Sequence, residues 1–191
     1  MLSKFSDFDI RRSLHTSQLQ LHLAEPDTLV LDEFGLCQGA ARVDVAVING
    51  QLNGYEIKSD RDRLDRLPLQ VDIYNRVLDT IVLVTGVRYA DRVVAYLPDW
   101  WGIFVATGTE AQIVFEVVRE AKLNSECDPF AIAQLLWRDE ALAILETHQL
   151  HKGLKSKPRQ VLWQILGKEL PVVKLKDAVR KALKSRSSWR N

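Results

Sequence analysis

The stretch that decides the fold covers residues 42–74, RVDVAVINGQLNGYEIKSDRDRLDRLPLQVDIY. It places an acid inside one apolar strand, at Asp44, and an acid and a lysine two residues apart in the next strand, at Glu56 and Lys58. A buried charge costs several kcal/mol unless it is paired or binds a metal. Three charged side chains in neighbouring strands therefore indicate a shared site.

The connection between these two strands decides whether the charged side chains meet. Side chains alternate between the two faces of a strand, so a shift of one residue moves a whole set to the other face. A two-residue turn at residues 49–50 would separate the acids, whereas a loop of three or five residues puts Asp44, Glu56 and Lys58 on one face. We predict this second register, in which paired residue numbers sum to an even value. The opposite face of the first strand then carries its valines, Val43, Val45 and Val47.

An upstream strand supplies a further acid. Residues 28–34 read TLVLDEF and are followed by the turn-like GLCQG, which predicts a hairpin with residues 42–48. Glu33 then lies at the strand end that faces Asp44, and Asp32 points to the opposite face because side chains alternate. Glu33 is therefore either a further ligand of the site or an ordinary solvated acid.

Two or three carboxylates on one sheet face suit a hard divalent cation such as Mg²⁺ or Mn²⁺. Such a cation holds a phosphate oxygen, lowers the pKa of a bound water and stabilises the leaving oxygen in phosphodiester hydrolysis. Lys58 would orient the water or offset the negative charge of the transition state. The competing interpretation of a lone Glu-x-Lys is a salt bridge on a sheet face.

A helix is predicted directly after the lysine strand. Pro68 suits the first turn of a helix, and residues 67–78, LPLQVDIYNRVL, continue with helical character. Gln70 and Tyr74 are four residues apart and so share one face of this helix. The helix can lay both side chains against the edge of the sheet that carries the acids.

The ordered set of Asp44, then Glu56-x-Lys58, then Gln70-x-x-x-Tyr74 resembles the PD-(D/E)xK nuclease superfamily, nearest its RecB-like branch. The EIKSD motif also resembles that of a small bacterial family of uncharacterised function within this superfamily. The resemblance covers roughly residues 28–105. It implies an α/β fold with a restriction-endonuclease-like core, in the order helix, three-stranded antiparallel meander, helix, strand.

The resemblance also implies roles for individual residues. Asp44 and Glu56 become metal ligands and Lys58 the catalytic lysine, while Gln70 and Tyr74 position the substrate or the edge of the metal site. This set therefore forms the predicted catalytic site.

The chain departs from the superfamily pattern at two points. Val43 precedes Asp44 where the superfamily name expects proline. The acid of the first helix has no clear equivalent, since Asp9 is the only acid within the helix predicted over residues 8–23. Glu33 is the leading candidate to replace it as the third metal ligand.

The net charge of +1 hides a strong asymmetry. Residues 151–191 hold 12 Lys and Arg against 2 Asp and Glu, while residues 1–150 hold 14 against 23. A basic tail of this density is either a solvated, solubilising end or a clamp for a polyanion such as nucleic acid. Together with the arginine-rich loop after the lysine strand, it predicts salt-sensitive contacts to DNA phosphates by Arg61, Arg63, Arg66, Lys174, Lys181 and Lys184.

The remaining sequence predicts one core with a helical extension. Strands are expected over residues 80–85 and 102–106, and residues 111–122 favour a strand over a helix. Helices are expected over residues 128–145, 159–166 and 172–183. The predicted division is a nuclease-like core, 1–125, and a basic helical extension packed on it, 126–191.

Composition sets the expected compartment. The apolar runs are short and the first residues are charged, so neither a spanning helix nor a signal peptide is predicted. Cys37 and Cys127 have no CxxC or histidine companion, which argues against a disulfide framework and a zinc site. A cytoplasmic protein with no membrane partner is expected, and a homodimer is left open.

These observations predict a metal-dependent DNA endo- or exonuclease that uses Mg²⁺ or Mn²⁺. The alternative is a catalytically inactive module on the same fold that binds nucleic acid or a partner protein. Intact Asp44, Glu56 and Lys58 favour the enzyme. The adjacent Trp100 and Trp101 could stack bases, but core packing is the favoured interpretation.

Overall fold

The computed structural model describes residues 5–109 and 112–187. These residues form a mixed sheet in the order β1-β2-β3-β4-β5-β6, with helices on both faces. Strands β1 to β3 form an antiparallel meander, β4 runs parallel to β3, β5 runs parallel to β4, and β6 is antiparallel to β5. The predicted α/β class is confirmed. The strands are β1 Leu29–Leu36, β2 Ala41–Ile48, β3 Leu52–Lys58, β4 Thr80–Gly86, β5 Gly102–Thr109 and β6 Gln112–Arg119.

The helices precede, interrupt and follow the sheet. Helix α1 lies before the meander and α3 between β3 and β4, so the chain follows the expected order of helix, meander, helix, strand. Ala111, where the last predicted strand begins, lies outside the described residues. The helices are α1 Asp7–Thr16, α2 Gln20–Ala24, α3 Leu67–Val77, α4 Ala90–Val94, α5 Pro129–Ala133, α6 Arg138–Thr147, α7 Arg159–Glu169 and α8 Val172–Ser185.

Two predicted helices are each divided in the structure. The helix expected over residues 8–23 breaks after Thr16, where the hydroxyls of Thr16 and Ser17 bond back to the Ser13 carbonyl. Such local bonds compete with regular helix continuation. The helix expected over residues 128–145 ends at Ala133, and a new one starts because the Glu140 carboxylate accepts from the Trp137 backbone N–H at 2.7 Å.

The even register between β2 and β3 is confirmed. Val45 pairs with Tyr55 and Ile48 with Leu52, so a three-residue loop joins the strands. The Asn49 side chain holds this loop by accepting from the Gln51 backbone N–H at 3.1 Å. Its side chain thereby overrides the two-residue turn that Asn-Gly favours locally.

The expectation that Val43, Val45 and Val47 share a face was wrong. Val45 and Val47 pack on the α1 side of the sheet, whereas Val43 packs with the cluster on the α3 side. The alternation breaks at Asp44, opposite Glu33, whose φ of 55° lies in the left-handed region. A non-glycine residue in that region interrupts the regular pleat. The irregularity therefore falls where the acids lie.

Each face of the sheet carries its own apolar cluster. Ile10 and Leu14 of α1 pack against Val45, Val47 and their neighbours, and the other face is covered by α3 and the C-terminal helices. Trp101 is fully buried and Trp100 is half-buried, which confirms core packing for the tryptophan pair. Within the described residues, none of the helices has the length and apolar content needed to span a membrane.

Candidate functional site

A polar cavity opens where β2 and β3 stop pairing, beyond Val45 and Tyr55. Its wall combines the start of α1, the β1–β2 connection, the first half of β2, the last residues of β3 and the start of α3. Every residue of the predicted catalytic set except Tyr74 lines it, and so does Glu33. The lining acids and bases are Asp7, Arg11, Glu33, Arg42, Asp44, Glu56, Lys58, Asp62 and Arg66.

Glu56 is the buried centre of the site, with 1% of its surface exposed. Its Oε1 forms an ion pair with Lys58 and accepts from Gln70 Nε2 at 2.6 Å. Its Oε2 lies 2.7 Å from the Tyr74 hydroxyl, which also receives a hydrogen bond from Gln70. Gln70 and Tyr74 therefore hold the Glu56 carboxylate in one orientation.

Tyr74 acts from beneath the cavity. It is fully buried, and its hydroxyl also lies 2.7 Å from the backbone oxygen of Arg42. Burial, and then the charge of Glu56, raise the pKa of Tyr74 far above its ordinary value. The phenol therefore stays protonated and can only donate to one of its two acceptors at a time. Its contact with the site is through Glu56.

Asp44 lies at the irregular point of β2. Its Oδ2 accepts from the Ile57 backbone N–H at 2.6 Å, which ties it to the strand that carries Glu56 and Lys58. Burial, reinforced by the charge of Glu56, raises the pKa of Asp44 to about 7, against opposition from Ile57 and Lys58. A carboxyl with such a shift in a cleft is a recognised mark of functional sites.

Arg11 is the functional residue that the sequence did not reveal. Its Nη2 lies 2.7 Å from Glu33, 3.0 Å from Asp44 and 3.3 Å from Asp7. Burial lowers the pKa of Arg11, but the hydrogen bond to Glu33 and the charges of Asp7 and Asp44 outweigh it and raise the pKa. The i,i+4 spacing of Asp7 and Arg11 on α1 was the available signal, although such pairs usually lie on a solvated face.

The helix acid considered from the sequence, Asp9, does not enter the cavity. Its carboxylate bonds to the backbone N–H of Ser6, and Ser6 in turn caps the start of α1. Asp7 instead provides the α1 acid of the cavity. Asp32 does not line the cavity, but the prediction that it points to the face opposite Glu33 was wrong. Its carboxylate lies 2.8 Å from His15, and Glu33 contacts Arg11, so both acids contact α1.

The predicted metal ligands Glu33, Asp44 and Glu56 fit a hard cation in kind but not in arrangement. Carboxylate oxygens are the donors that Mg²⁺ and Mn²⁺ prefer. However, among residues 5–109 and 112–187 no three His, Cys, Asp or Glu side chains converge as a metal-holding group. Glu33 and Asp44 contact Arg11, and Glu56 contacts Lys58. The carboxylates are thus arranged as ion pairs.

The predicted DNA-contacting residues fall into two groups. Arg66 lines the cavity, and Arg61 and Arg63 line an adjoining depression that also includes Lys58. Lys181 and Lys184 instead line a depression at the turn between β2 and β3. That turn follows Ile48, which lies four positions after Asp44 on β2, a distance of ~13 Å along the strand. Lys174 is exposed on α8, the helix that also carries Lys181 and Lys184, and it does not line the cavity.

The family model for bacteriophage P4 protein cII matches residues 9–190. The chain belongs to the bacteriophage P4 protein cII family. A curated relative in this family is protein cII of Enterobacteria phage P4, which is 21% identical over 160 residues. That alignment covers 84% of this chain and 60% of the relative, so the chain spans about three fifths of the relative's length.

A solved structure also matches. It is a protein of unknown function from Silicibacter pomeroyi, with 20% identity and a TM-score of 0.46 over 78% of this chain and 94% of the other. Neither match adds a reaction or a ligand to what the cavity shows.

The raised pKa of Asp44 predicts a pH-dependent stability cost. The folded state favours protonated Asp44 up to about pH 7, whereas the unfolded chain loses this proton near 3.8, so stability falls as pH rises between these values. Asp44→Asn imitates the protonated form. We expect the variant to match wild type near pH 4 and to be more stable by about 4 kcal/mol at pH 8 in EDTA.

Urea unfolding across this pH range measures the difference. Asp65→Asn is the matched control, because the Asp65 side chain is 66% exposed and its loss should not change the pH profile. An Asp44→Asn variant that is less stable than wild type at pH 8 would contradict the raised pKa of Asp44.

Proposed function

We propose that this protein is a metal-dependent deoxyribonuclease that hydrolyses phosphodiester bonds in the cavity around Glu56. The observation that carries the proposal is the buried pair of Glu56 and Lys58, oriented by Gln70 and Tyr74 and joined by Asp44 through Ile57. An ion pair that served only stability would not need these hydrogen bonds from Gln70, Tyr74 and the Ile57 backbone in the wall of a polar cavity. The order of α1, the β1–β3 meander, α3 and β4 is also the one that the PD-(D/E)xK resemblance implies.

Lys58 has the chemistry to stabilise charge that develops during cleavage. Its side chain is 7% exposed and lines the cavity, so its ammonium group acts where water screens it weakly. We propose that it donates to a phosphate oxygen or to the attacking water. The ion pair with Glu56 holds the lysine side chain in place.

Gln70 supports the presence of a further ligand. Its Oε1 is buried and, among the described residues, has no hydrogen-bond partner, although its Nε2 is bonded to Glu56. Buried amide oxygens are seldom left without a donor or a cation. Mg²⁺ or Mn²⁺ is the proposed cofactor, and when bound it would supply a Lewis acid and an activated water. Glu33, Asp44 and Glu56 are the residues proposed to hold it.

The proposed DNA contacts lie beside the cavity. Arg61, Arg63 and Arg66 form one edge, and their exposed guanidinium groups suit phosphate oxygens. The α8 lysines would contact a longer DNA only at a distance from the cut. We also propose a cytoplasmic location and a possible homodimer.

A second candidate is a nucleic-acid-binding module that does not cleave. The observation that favours it is the neutralisation of the acids by the protein's own cations, Arg11 and Lys58. In that case the cluster is structural, and the arginine loop alone binds the polyanion.

The two candidates differ in a cleavage assay. Single-stranded, duplex and branched DNA, and RNA, would be incubated with purified protein in Mg²⁺, Mn²⁺ or EDTA. We expect at least one DNA form to be cut with either metal and none in EDTA. Binding of these nucleic acids with every form left uncut at stoichiometric protein would favour the second candidate.

A further inference from the structure

Two apolar side chains beside the polar cavity are open to solvent. Phe8 on α1 is 68% exposed and directly follows Asp7, which lines the cavity. Leu69 on α3 is 59% exposed, lines the cavity itself and directly precedes Gln70. Single exposed apolar side chains are common on protein surfaces, so the surroundings of these two decide what they can do.

Phe8 is surrounded by positive charge. Arg12 lies one turn further along α1, with its guanidinium 5.9 Å from the centre of the Phe8 ring. Hydrogen bonds from Ser6 lower the pKa of Asp9, and the charges of Arg12 and Arg61 lower it further. Arg61 therefore also lies near this end of α1. An exposed aromatic ring beside arginines is the combination with which proteins hold unpaired bases and the phosphates between them.

The cavity itself is a recess rather than a broad surface. The side chains of Glu56 and Lys58 are only 1% and 7% exposed, and the cavity volume is about 410 Å³. This volume lies in the range of ~300–1,000 Å³ that is typical of sites for single small molecules. A phosphate of one flexible strand can enter such a recess, whereas base pairing holds the backbone of a duplex at the surface.

We propose that Phe8 is a stacking platform for an unpaired DNA base at the entrance of the cavity, with Arg12 and Arg61 contacting the adjoining phosphates. The inference rests on the proposed function, because it names the form of DNA whose backbone reaches Glu56 and Lys58. A base inside a duplex is already stacked on both sides, so its face cannot meet the Phe8 ring. The platform therefore selects single strands and unpaired ends.

Binding of a fluorescently labelled single-stranded oligonucleotide in EDTA, followed by anisotropy, tests the platform without cleavage. We expect Phe8→Ala to weaken this binding about fivefold or more, the size of one lost base–aromatic contact. Binding of the same oligonucleotide annealed to its complement should not change. Phe8→Tyr keeps the ring and should bind the single strand as wild type does, whereas Phe8→Leu keeps only apolar bulk and should resemble Phe8→Ala.

Two controls isolate stacking from other effects. Tyr96→Ala removes an aromatic side chain that is 69% exposed and does not line the cavity, so it should not alter binding. An oligonucleotide with abasic sites keeps the phosphates without the bases, and it should bind wild type and Phe8→Ala equally. Thermal unfolding checks that each variant folds, and Phe8→Leu takes the place of Phe8→Ala if the latter does not.

The outcomes separate the inference from the function beneath it. Unchanged single-strand affinity in Phe8→Ala, or an equal loss for single strand and duplex, overturns the platform. Cleavage of DNA by a protein whose strand binding does not depend on Phe8 overturns the inference alone and leaves the nuclease. Phe8-dependent binding of the single strand without cleavage in Mg²⁺ or Mn²⁺ supports the inference and overturns only the proposed reaction.

Discussion

If the proposed cleavage takes place, we expect Lys58→Met to lower its rate about 10²–10³-fold, a loss of the size seen when one charge-stabilising donor is removed from an active site. Methionine keeps most of the length of the side chain and removes only its charge. Binding of DNA should change little, because Arg61, Arg63 and Arg66 remain on the adjoining surface. Cleavage under single-turnover conditions and binding in EDTA measure the two effects separately.

This variant needs a check on folding, since it leaves Glu56 without its buried cation. The double variant Lys58→Met, Glu56→Gln removes both charges of the pair, so it leaves no unpaired buried acid. Its DNA binding can be measured in EDTA, where the Glu56 carboxylate is not needed. Lys152→Met is the matched control, because Lys152 is exposed and lies far along the chain in the basic segment. Cleavage by a folded Lys58→Met protein at close to the wild-type rate would remove Lys58 from the reaction.

We expect Asp79→Ala to destabilise the protein by about 3–5 kcal/mol, because it removes the buried acid that two partly buried cations contact. The Asp79 side chain is 5% exposed and lies 2.7 Å from Lys176 and 3.6 Å from Arg180, both on α8. It also accepts from the Leu52 backbone N–H at 2.8 Å, at the start of β3. One acid thus joins the last helix to the strand that leads into the site.

Asp177→Ala is the control for this effect. Asp177 pairs with Lys181 and, at 4.0 Å, with Arg180 on the same helix, and its side chain is 52% exposed. Its removal should therefore cost less than about 0.5 kcal/mol. Chemical unfolding of both variants gives the comparison. A cost below about 1 kcal/mol for Asp79→Ala would mean that α8 is held by its apolar face alone.

These contacts explain what the basic tail does with its charge. Part of its excess faces acids of the body: Lys176 and Arg180 contact Asp79, and Lys184 contacts Asp27. The opposite charges of body and tail were visible in the sequence. Their pairing was not, because residues so far apart in the chain meet only through tertiary packing. The tail is therefore at least partly a docking element.

The sequence was most informative where short-range periodicity applies. The alternation in β2 and β3 led to the even register, and the four-residue spacing of Gln70 and Tyr74 placed both against Glu56. It was least informative where one residue breaks a pattern. Nothing in the chain indicated the left-handed Glu33, which shifted Val43 to the other face. The spacing of Asp7 and Arg11 is typical of a solvated helix face, so it did not predict that Arg11 contacts Asp44, 33 residues away in the chain.

A crystal soaked in Mn²⁺ and measured at the manganese absorption edge would show whether the cavity binds a metal. We expect an anomalous peak in the cavity, at a coordination distance of about 2 Å from Asp44 and Glu56 oxygens. A saturating soak with no peak in the cavity would contradict a metal-dependent site.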